Sequence, residues 1–224
     1  MIATLLWKDQ ASREKAVYGN AFRRRRFAAF LALVDDVLKE QDRVRVLDLG
    51  GGVSYWKGLE EAWRDRPIEI TLVNLAEEPV PDARFVSLAG NACSLPEMAD
   101  GSFDIVHSNS VIEHVGGWEQ KRRMANEVRR LAPRYFVQTP NYWFPVEPHF
   151  RTPAIHWMPR MWRRGLVMRR ALGFYPKAQT LDEAHRILDD ASLVDAREMA
   201  ELFPEARIER ERVFGLTKSL IAIH

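Results

Sequence analysis

The apolar residues of the chain fall into short runs that alternate with stretches of helical periodicity. Five runs predict β-strands, at residues 44–49, 68–74, 84–88, 103–108 and 135–139. Apolar residues at helical spacing predict helices at about 12–40, 53–64 and 118–131. Strands that alternate with helices in this way are typical of a parallel, doubly wound sheet, which binds its ligand at the carboxyl ends of the strands.

The pattern changes after residue 140. Residues 140–178 are crowded with proline, aromatic residues and arginine, and we interpret them as an insertion, a lid over the ligand edge of the sheet. Two further helices, at about 182–190 and 194–203, precede the segments 207–214 and 216–224, which predict an antiparallel strand pair that turns at Gly215.

The predicted fold is therefore α/β, with a Rossmann-like, doubly wound, mostly parallel seven-stranded sheet, an antiparallel C-terminal strand pair and a helical and aromatic lid. We expect one domain over residues 1–224, with an N-terminal helical segment at 1–42.

Three consecutive glycines follow the first predicted strand. The sequence from Asp48 through Gly50, Gly51 and Gly52 places a flexible backbone at a strand end, where a ligand can approach closely. The dinucleotide fingerprint needs a third glycine at the position of Tyr55, which argues against NAD, and no Gly-Lys-Ser/Thr follows, which argues against a P-loop. An acidic residue two positions before the first glycine remains, and it suits a cationic ligand rich in hydrogen-bond donors.

Composition narrows the function only slightly. The 224 residues carry a formal net charge of +2, which does not predict a nucleic-acid partner. A single cysteine and the lack of an N-terminal signal pattern predict a cytoplasmic protein without disulfides. The histidines are scattered and no zinc motif is present, so the sequence predicts no metal site.

Two motifs resemble those of a known enzyme family. The first is the strand that ends in D-x-G-x-G at Asp48, Gly50 and Gly52, and the second is F-D-x-V at residues 103–106, which leads to E-H-V at residues 113–115. In these motifs the chain resembles the class I S-adenosylmethionine-dependent methyltransferases of the small-molecule, type-11-like branch, in which E-H-V begins a helix. The resemblance implies S-adenosylmethionine as the cofactor, bound at Asp48 and the three glycines.

The resemblance also implies the remaining cofactor contacts. The end of the second strand, Asn74 and Leu75, takes the place where the family holds the ribose with an acidic residue, and Glu77 or Glu78 could substitute for that acid. Because aspartate would restore a charged acceptor there, an Asn74→Asp variant is expected to bind the cofactor equally well or better. The adenine edge is expected at Asn91 and Ala92, and the methionine part of the cofactor at Asn109.

Candidate catalytic residues are histidines. Transfer of a methyl group from a sulfonium is an in-line displacement that mainly requires positioning, but a hydroxyl or amine acceptor must also lose a proton. His114 is the first candidate for the base and His149 is the second. The family resemblance places the acceptor pocket directly after the fifth strand, in the lid.

The acceptor stays open between a small molecule and a lipid- or glycan-linked compound. Residues 159–172 predict a basic amphipathic helix, which either packs its apolar stripe on the domain as a lid or docks on the anionic inner face of a membrane. Three alternatives to a small-molecule methyltransferase also remain: a methyltransferase-like binding scaffold without catalysis, a nucleotide-dependent enzyme of another class, and an RNA methyltransferase.

Overall fold

The computed structural model describes residues 21–224, so the part of the predicted N-terminal segment before residue 21 lies outside the described residues. The strands of the main sheet are β1 (Val44–Leu49), β2 (Ile68–Asn74), β3 (Phe85–Ala89), β4 (Ile105–Asn109), β5 (Arg134–Pro140), β8 (Arg207–Val213) and β9 (Leu216–Ile223). The lid contains a small hairpin, β6 (Val146–Glu147) and β7 (Thr152–Pro153). The helices are α1 (Ala21–Val37), α2 (Val53–Lys57), α3 (Glu60–Trp63), α4 (Trp118–Leu131), α5 (Arg160–Arg169), α6 (Leu181–Asp189) and α7 (Ala196–Leu202).

The sheet has the order β3-β2-β1-β4-β5-β9-β8, and β9 is antiparallel to both of its neighbours. The predicted seven-stranded, mostly parallel sheet with a C-terminal antiparallel pair is therefore confirmed. The chain turns at Phe214 and Gly215, which both have positive φ angles. The order of the strands reverses between β1 and β4, and this switch point is where doubly wound sheets bind ligands.

Helices cover both faces of the sheet. On one face, α1, α2 and α3 bury Phe27, Phe30, Trp56 and Trp63 against β1 and β2. On the other face, α4 and α7 form a second core whose helical members include Met124, Val128 and Met199. Coverage of both faces explains why β1 and β4 consist almost entirely of buried residues.

Two predicted helices differ from the structure. The helix predicted at 53–64 is broken into α2 and α3, because Gly58 follows α2 and the indole N–H of Trp63 donates to the carbonyl of Trp56 (2.8 Å), an acceptor that a continuous helix would use internally. The helix expected to begin at E-H-V is also absent, since Glu113 and His114 lie in a turn that leads through two glycines to α4.

The lid builds its own small core against α6. Phe150, Ile155, Val167 and Ile187 are buried there together. The basic helix predicted at 159–172 is shorter than expected and spans Arg160–Arg169. The chain beyond it turns at Gly173, which has a φ of +57° and packs so closely on the backbone of His149 that a Cβ atom would lie 2.1 Å from the His149 carbonyl oxygen.

Candidate active site

The glycine turn lies at the switch point, at the carboxyl end of β1. Gly50 has a φ of +74°, and a Cβ atom on it would lie 2.5 Å from Val111 Cγ2, in the segment after β4. A Cβ atom on Gly51 would lie 1.8 Å from Asp48 Oδ2. Glycine is therefore required at both positions by the protein itself, whereas a Cβ atom on Gly52 would only contact Glu78 at 3.4 Å.

The Asp48 carboxylate lies beneath this turn and is fully buried. Its Oδ2 accepts a hydrogen bond from the indole N–H of Trp56 (2.7 Å), and its Oδ1 lies 2.8 Å from His107 Nδ1. His107 is itself buried, and its Nε2 lies 3.4 Å from the hydroxyl of Tyr55. Both Asp48 oxygens thus have protein partners, and these contacts connect the turn to Trp56 in α2 and to His107 in β4.

The end of β2 contacts the same turn. Asn74 Nδ2 donates to the carbonyl oxygen of Gly51 (2.7 Å). Leu75, the next residue, is 79% exposed, which is unusual for leucine and leaves an apolar surface beside the turn. Glu78 reaches back to the start of α2, where its Oε1 accepts from the backbone N–H of Val53 (2.9 Å), whereas Glu77 is exposed.

The residues predicted at the adenine edge form a tight turn after β3. Asn91 is exposed, and its Oδ1 accepts from the backbone N–H of Cys93 (3.0 Å), as in an Asx turn. Ala92 is half-buried next to it. Gly90, just before them, is hydrogen-bonded to the Asn74 carbonyl (2.7 Å), so this turn and the end of β2 are held at one sheet edge.

The side chain of Asn109, at the end of β4, has a partner that the sequence did not predict. Its Oδ1 accepts from Arg26 Nη1 (3.2 Å), and Arg26 Nε also lies 3.4 Å from Glu211 Oε1. Arg26 belongs to a run of four arginines in α1, residues 23–26, and its side chain is only 12% exposed. Nothing in the local pattern distinguishes Arg26 from its neighbours, because the distinction comes from how α1 packs across the sheet.

The two candidate catalytic histidines lie together although 35 residues separate them. His114 Nε2 and His149 Nε2 are 3.1 Å apart, with the ring planes at 85°. His149 Nδ1 is 2.6 Å from Oε1 of the buried Glu147, and His114 Nδ1 is 2.8 Å from the backbone carbonyl oxygen of Asp190. The first histidine comes from the turn after β4 and the second from the lid.

A third group, Glu113, joins this pair. Its carboxylate is fully buried, its Oε2 accepts from the hydroxyl of Thr139 (3.0 Å), and its Oε1 has no hydrogen-bond partner. Burial raises the pKa of Glu113. Burial alone would lower the pKa of His149, but the hydrogen bond and charge of Glu147 outweigh it and raise that pKa. Glu113 belongs to the E-H-V motif but was not among the predicted site residues.

The prediction that no metal site is present rested on sequence spacing. The structure brings one ligand atom each of Glu113, His114 and His149 within 4.8 Å of one another, which is a donor set that could hold a metal ion. Sequence spacing could not reveal this set, because His149 reaches it only through the folded lid.

The outer surface of the lid is aromatic and basic. Trp143, Trp157, Met161 and Trp162 are 62%, 42%, 70% and 63% exposed, and the rings of Trp143 and Trp157 lie 6.4 Å apart. The stripe predicted to pack on the domain is thus only partly covered, with Val167 as the buried residue of α5. Among residues 21–224, no helix is long and apolar enough to cross a membrane.

Comparison with protein families gives one match. The family described as "Methyltransferase domain" matches residues 47–134, from β1 through α4 to the start of β5. The match includes the glycine turn, the ends of β2, β3 and β4, and the Glu113-His114 turn, and it excludes the lid. A comparison with curated protein sequences found no match.

Solved structures share the fold at low sequence identity. A Burkholderia thailandensis 1,6-didemethyltoxoflavin N1-methyltransferase, crystallised with its substrate and S-adenosylhomocysteine, is 16% identical with a TM-score of 0.54, covering 99% of this chain and 87% of that one. A Methanosarcina mazei S-adenosylmethionine-dependent methyltransferase is 13% identical with a TM-score of 0.50, covering 84% and 94%. A Rhodobacter sphaeroides structure described as zinc-dependent alcohol dehydrogenases is 14% identical with a TM-score of 0.51, covering 84% and 86%. At these identities the likeness shows the fold alone.

Proposed function

We propose that the protein transfers a methyl group from S-adenosylmethionine to a small-molecule or lipid- or glycan-linked acceptor, because residues 47–134 match the family described as "Methyltransferase domain". The observation that carries this proposal is the glycine turn at the switch point of the sheet, in the family-matched segment. There Gly50 has a positive φ, and the ends of β2, β3 and β4 surround it.

Each part of the cofactor has a matching group along this edge. The exposed Leu75 offers an apolar surface for the adenine, next to the turn at Asn91 and Ala92. Glu78 takes the ribose role that the sequence left open, because one of its oxygens holds the Val53 N–H and the other is available for a ribose hydroxyl. Arg26 beside Asn109 suits the carboxylate of the methionine part.

Asp48 has a different role in this proposal from direct binding. Its oxygens accept from Trp56 and contact His107, and its carboxylate fits under Gly51 so tightly that no side chain could be placed there. Asp48 therefore fixes the path of the turn, and through the turn the position of the cofactor. It also places a buried negative charge below the site, which favours a cationic sulfonium.

The acceptor is activated at the pair formed by His114 and His149. His114 follows Val111, which contacts the glycine turn, so the pair lies on the cofactor edge of the sheet. An exposed third of the His114 side chain leaves room for an acceptor. We assign proton acceptance first to His114 and second to His149, and the in-line displacement itself then needs mainly the positioning of nucleophile and methyl group.

Cofactor binding tests this proposal. Calorimetric titration with S-adenosylmethionine and S-adenosylhomocysteine is expected to show one site with micromolar affinity, about 8 kcal/mol, and NAD and ATP are expected not to bind. Binding of NAD alone would favour a nucleotide-dependent enzyme of another class. Binding of S-adenosylmethionine without methyl transfer to any acceptor would favour the scaffold function.

A membrane-linked acceptor is favoured by the outer surface of the lid. Exposed tryptophans beside arginines are the composition of helices that lie in the membrane interface, and we propose that Met161 and Trp162 insert at an anionic lipid surface. Sedimentation with vesicles of phosphatidylglycerol and phosphatidylcholine tests this. A Met161→Ser/Trp162→Ser variant should lose binding to the anionic vesicles. A Phe214→Ser variant, changed at a fully exposed residue of the β8–β9 turn, should bind like the wild type. Equal sedimentation of all three proteins would contradict the proposal.

A further inference from the structure

The hydrogen-bond partners of the two facing histidines place both ring protons on Nδ1, so no ring proton lies between the two Nε2 atoms. His149 Nδ1 faces the carboxylate of Glu147, and His114 Nδ1 faces the carbonyl oxygen of Asp190. The Asp190 carbonyl can only accept a hydrogen bond, and the second oxygen of the Glu147 carboxyl group already accepts from the backbone N–H of Phe150. Each Nδ1 consequently carries the ring proton, and each Nε2 of a neutral ring carries a lone pair.

Two lone pairs that point at each other need a positive charge between them. The Nε2 atoms are 3.1 Å apart, so a proton or a metal ion must lie there. Ligands about 2.0–2.1 Å from a tetrahedral zinc ion are about 3.3 Å apart, close to the observed separation. The distance alone fits either species, and a third group decides between them.

That third group is Glu113. A shared proton would leave its Oε1 buried and without a partner among the described residues. One oxygen of the same carboxylate lies within 4.8 Å of a ring nitrogen of each histidine, so a metal ion at the pair would give the carboxylate a further partner. The second oxygen already accepts from Thr139, which orients the carboxylate. Burial of a carboxylate beside two imidazoles is typical of metal sites.

We propose that Glu113, His114 and His149 bind a divalent transition-metal ion, with Zn²⁺ as the ion that best suits two imidazoles and one carboxylate. The outer contacts agree with this assignment. Metal-ligating histidines usually donate the other ring N–H to a carboxylate or a backbone carbonyl, and Glu147 and the Asp190 carbonyl provide one of each. Three protein ligands leave a fourth position open, as in catalytic zinc sites.

This inference rests on the proposed function, and in it the histidine pair binds a metal ion instead of accepting the acceptor's proton. The open position would take the acceptor's oxygen, nitrogen or sulfur, and the metal would lower its pKa so that the proton passes to water. The deprotonated atom then attacks the methyl carbon, the carbon–sulfur bond breaks, and S-adenosylhomocysteine leaves. In the metal-bound enzyme, His114 and His149 act as ligands in place of a base.

Metal titration tests the site directly. The full chain, freed of metal with a chelator, is titrated with Zn²⁺ by calorimetry and with Co²⁺ by visible absorption, which reports the coordination geometry. We expect one ion per chain with micromolar or tighter affinity. His149→Ala should weaken binding by at least about 100-fold, and the conservative Glu147→Gln should weaken it by about 10- to 100-fold. His156→Ala is the matched control in the lid, because its Nε2 contacts the carbonyl oxygen of Tyr142 outside the cluster, and it should bind as the wild type does.

Two outcomes would overturn the inference. In the first, the wild type takes up no more Zn²⁺ than a His114→Ala/His149→Ala variant whose circular dichroism is unchanged, and a proton shared by the two rings then explains their distance. In the second, His156→Ala loses as much affinity as His149→Ala. Titration of the metal-free protein with S-adenosylmethionine separates this from the proposed function, since cofactor binding without metal uptake overturns the metal site alone.

Discussion

Asn74 gives the sharpest disagreement between the sequence and the structure. From sequence, Asn74→Asp should keep or improve cofactor binding, because aspartate would restore a charged ribose acceptor. In the structure the Asn74 amide donates to the carbonyl oxygen of Gly51 at 2.7 Å, and aspartate would place a carboxylate oxygen against that carbonyl. The structure therefore reverses the expectation: the variant should distort the glycine turn and weaken binding.

The magnitude follows from the contacts. Loss of the hydrogen bond costs about 1 kcal/mol, and leaving the partly buried Gly51 carbonyl without a donor costs about 1–3 kcal/mol. A charged ribose contact would offset about 1 kcal/mol of this loss. The net effect is about 1–3 kcal/mol, which corresponds to an affinity about 5- to 150-fold weaker than that of the wild type.

Calorimetric titration with S-adenosylhomocysteine measures this change, and thermal unfolding shows whether the turn is destabilised without the ligand. Asn74→Ala is the matched control, because it removes the donor without adding a charge, and it should also bind more weakly than the wild type. Unchanged or tighter binding by Asn74→Asp, with an unchanged Tm, would refute the role given to the amide.

Three further predictions concern the turn, the ribose and a helix cap. Gly51→Ala would force a methyl group onto the buried Asp48 carboxylate and should destabilise the fold by about 1–3 kcal/mol in urea unfolding. The stability of Gly52→Ala should stay near that of the wild type. Equal stability of the two variants would contradict the packing argument. Glu78→Gln should weaken the binding of S-adenosylhomocysteine about 10-fold in calorimetry, and Glu77→Gln should not. Weaker binding by Glu77→Gln than by Glu78→Gln would assign the ribose contact to Glu77. Asp195→Ala removes the capping box of α7 and should cost about 1 kcal/mol at pH 7. The hydrogen bond that the Glu198 N–H donates, together with the other contacts, lowers the pKa of Asp195 below 3.8. The stability difference between the wild type and Asp195→Ala should therefore be full above about pH 4 and shrink as pH falls further. A constant difference at pH 3 in urea unfolding would contradict the ionic cap.

The strands of the main sheet were predictable because each depends on a local pattern. The buried runs of β1 and β4 require cover on both faces, and the amphipathic segment Trp118–Leu131 matches α4 at both ends. Predictions were wrong where a side chain overrides the local pattern. The indole N–H of Trp63 donates to the carbonyl of Trp56, where the helix predicted at 53–64 is broken, and no periodicity rule would detect this contact.

The candidate site was predictable only residue by residue. His114 and His149 could be named separately as candidate bases, but their contact depends on the lid, where Glu147 orients His149 and Gly173 packs on its backbone. Glu113 belongs to the E-H-V motif but was not among the predicted site residues, because a buried glutamate in a turn has no distinctive sequence pattern. No sequence feature separates Arg26 from its three arginine neighbours, because only the packing of α1 beside Asn109 distinguishes it.

Amide NMR of the isotope-labelled protein during titration with S-adenosylhomocysteine shows whether the cofactor binds at the glycine turn. We expect saturable shifts centred on Gly50–Val53, Asn74–Leu75 and Asn91–Ala92, with the β8–β9 turn at Phe214 unaffected. Saturable shifts confined to residues away from the carboxyl ends of β1, β2 and β3, or no shifts at millimolar ligand, would contradict it.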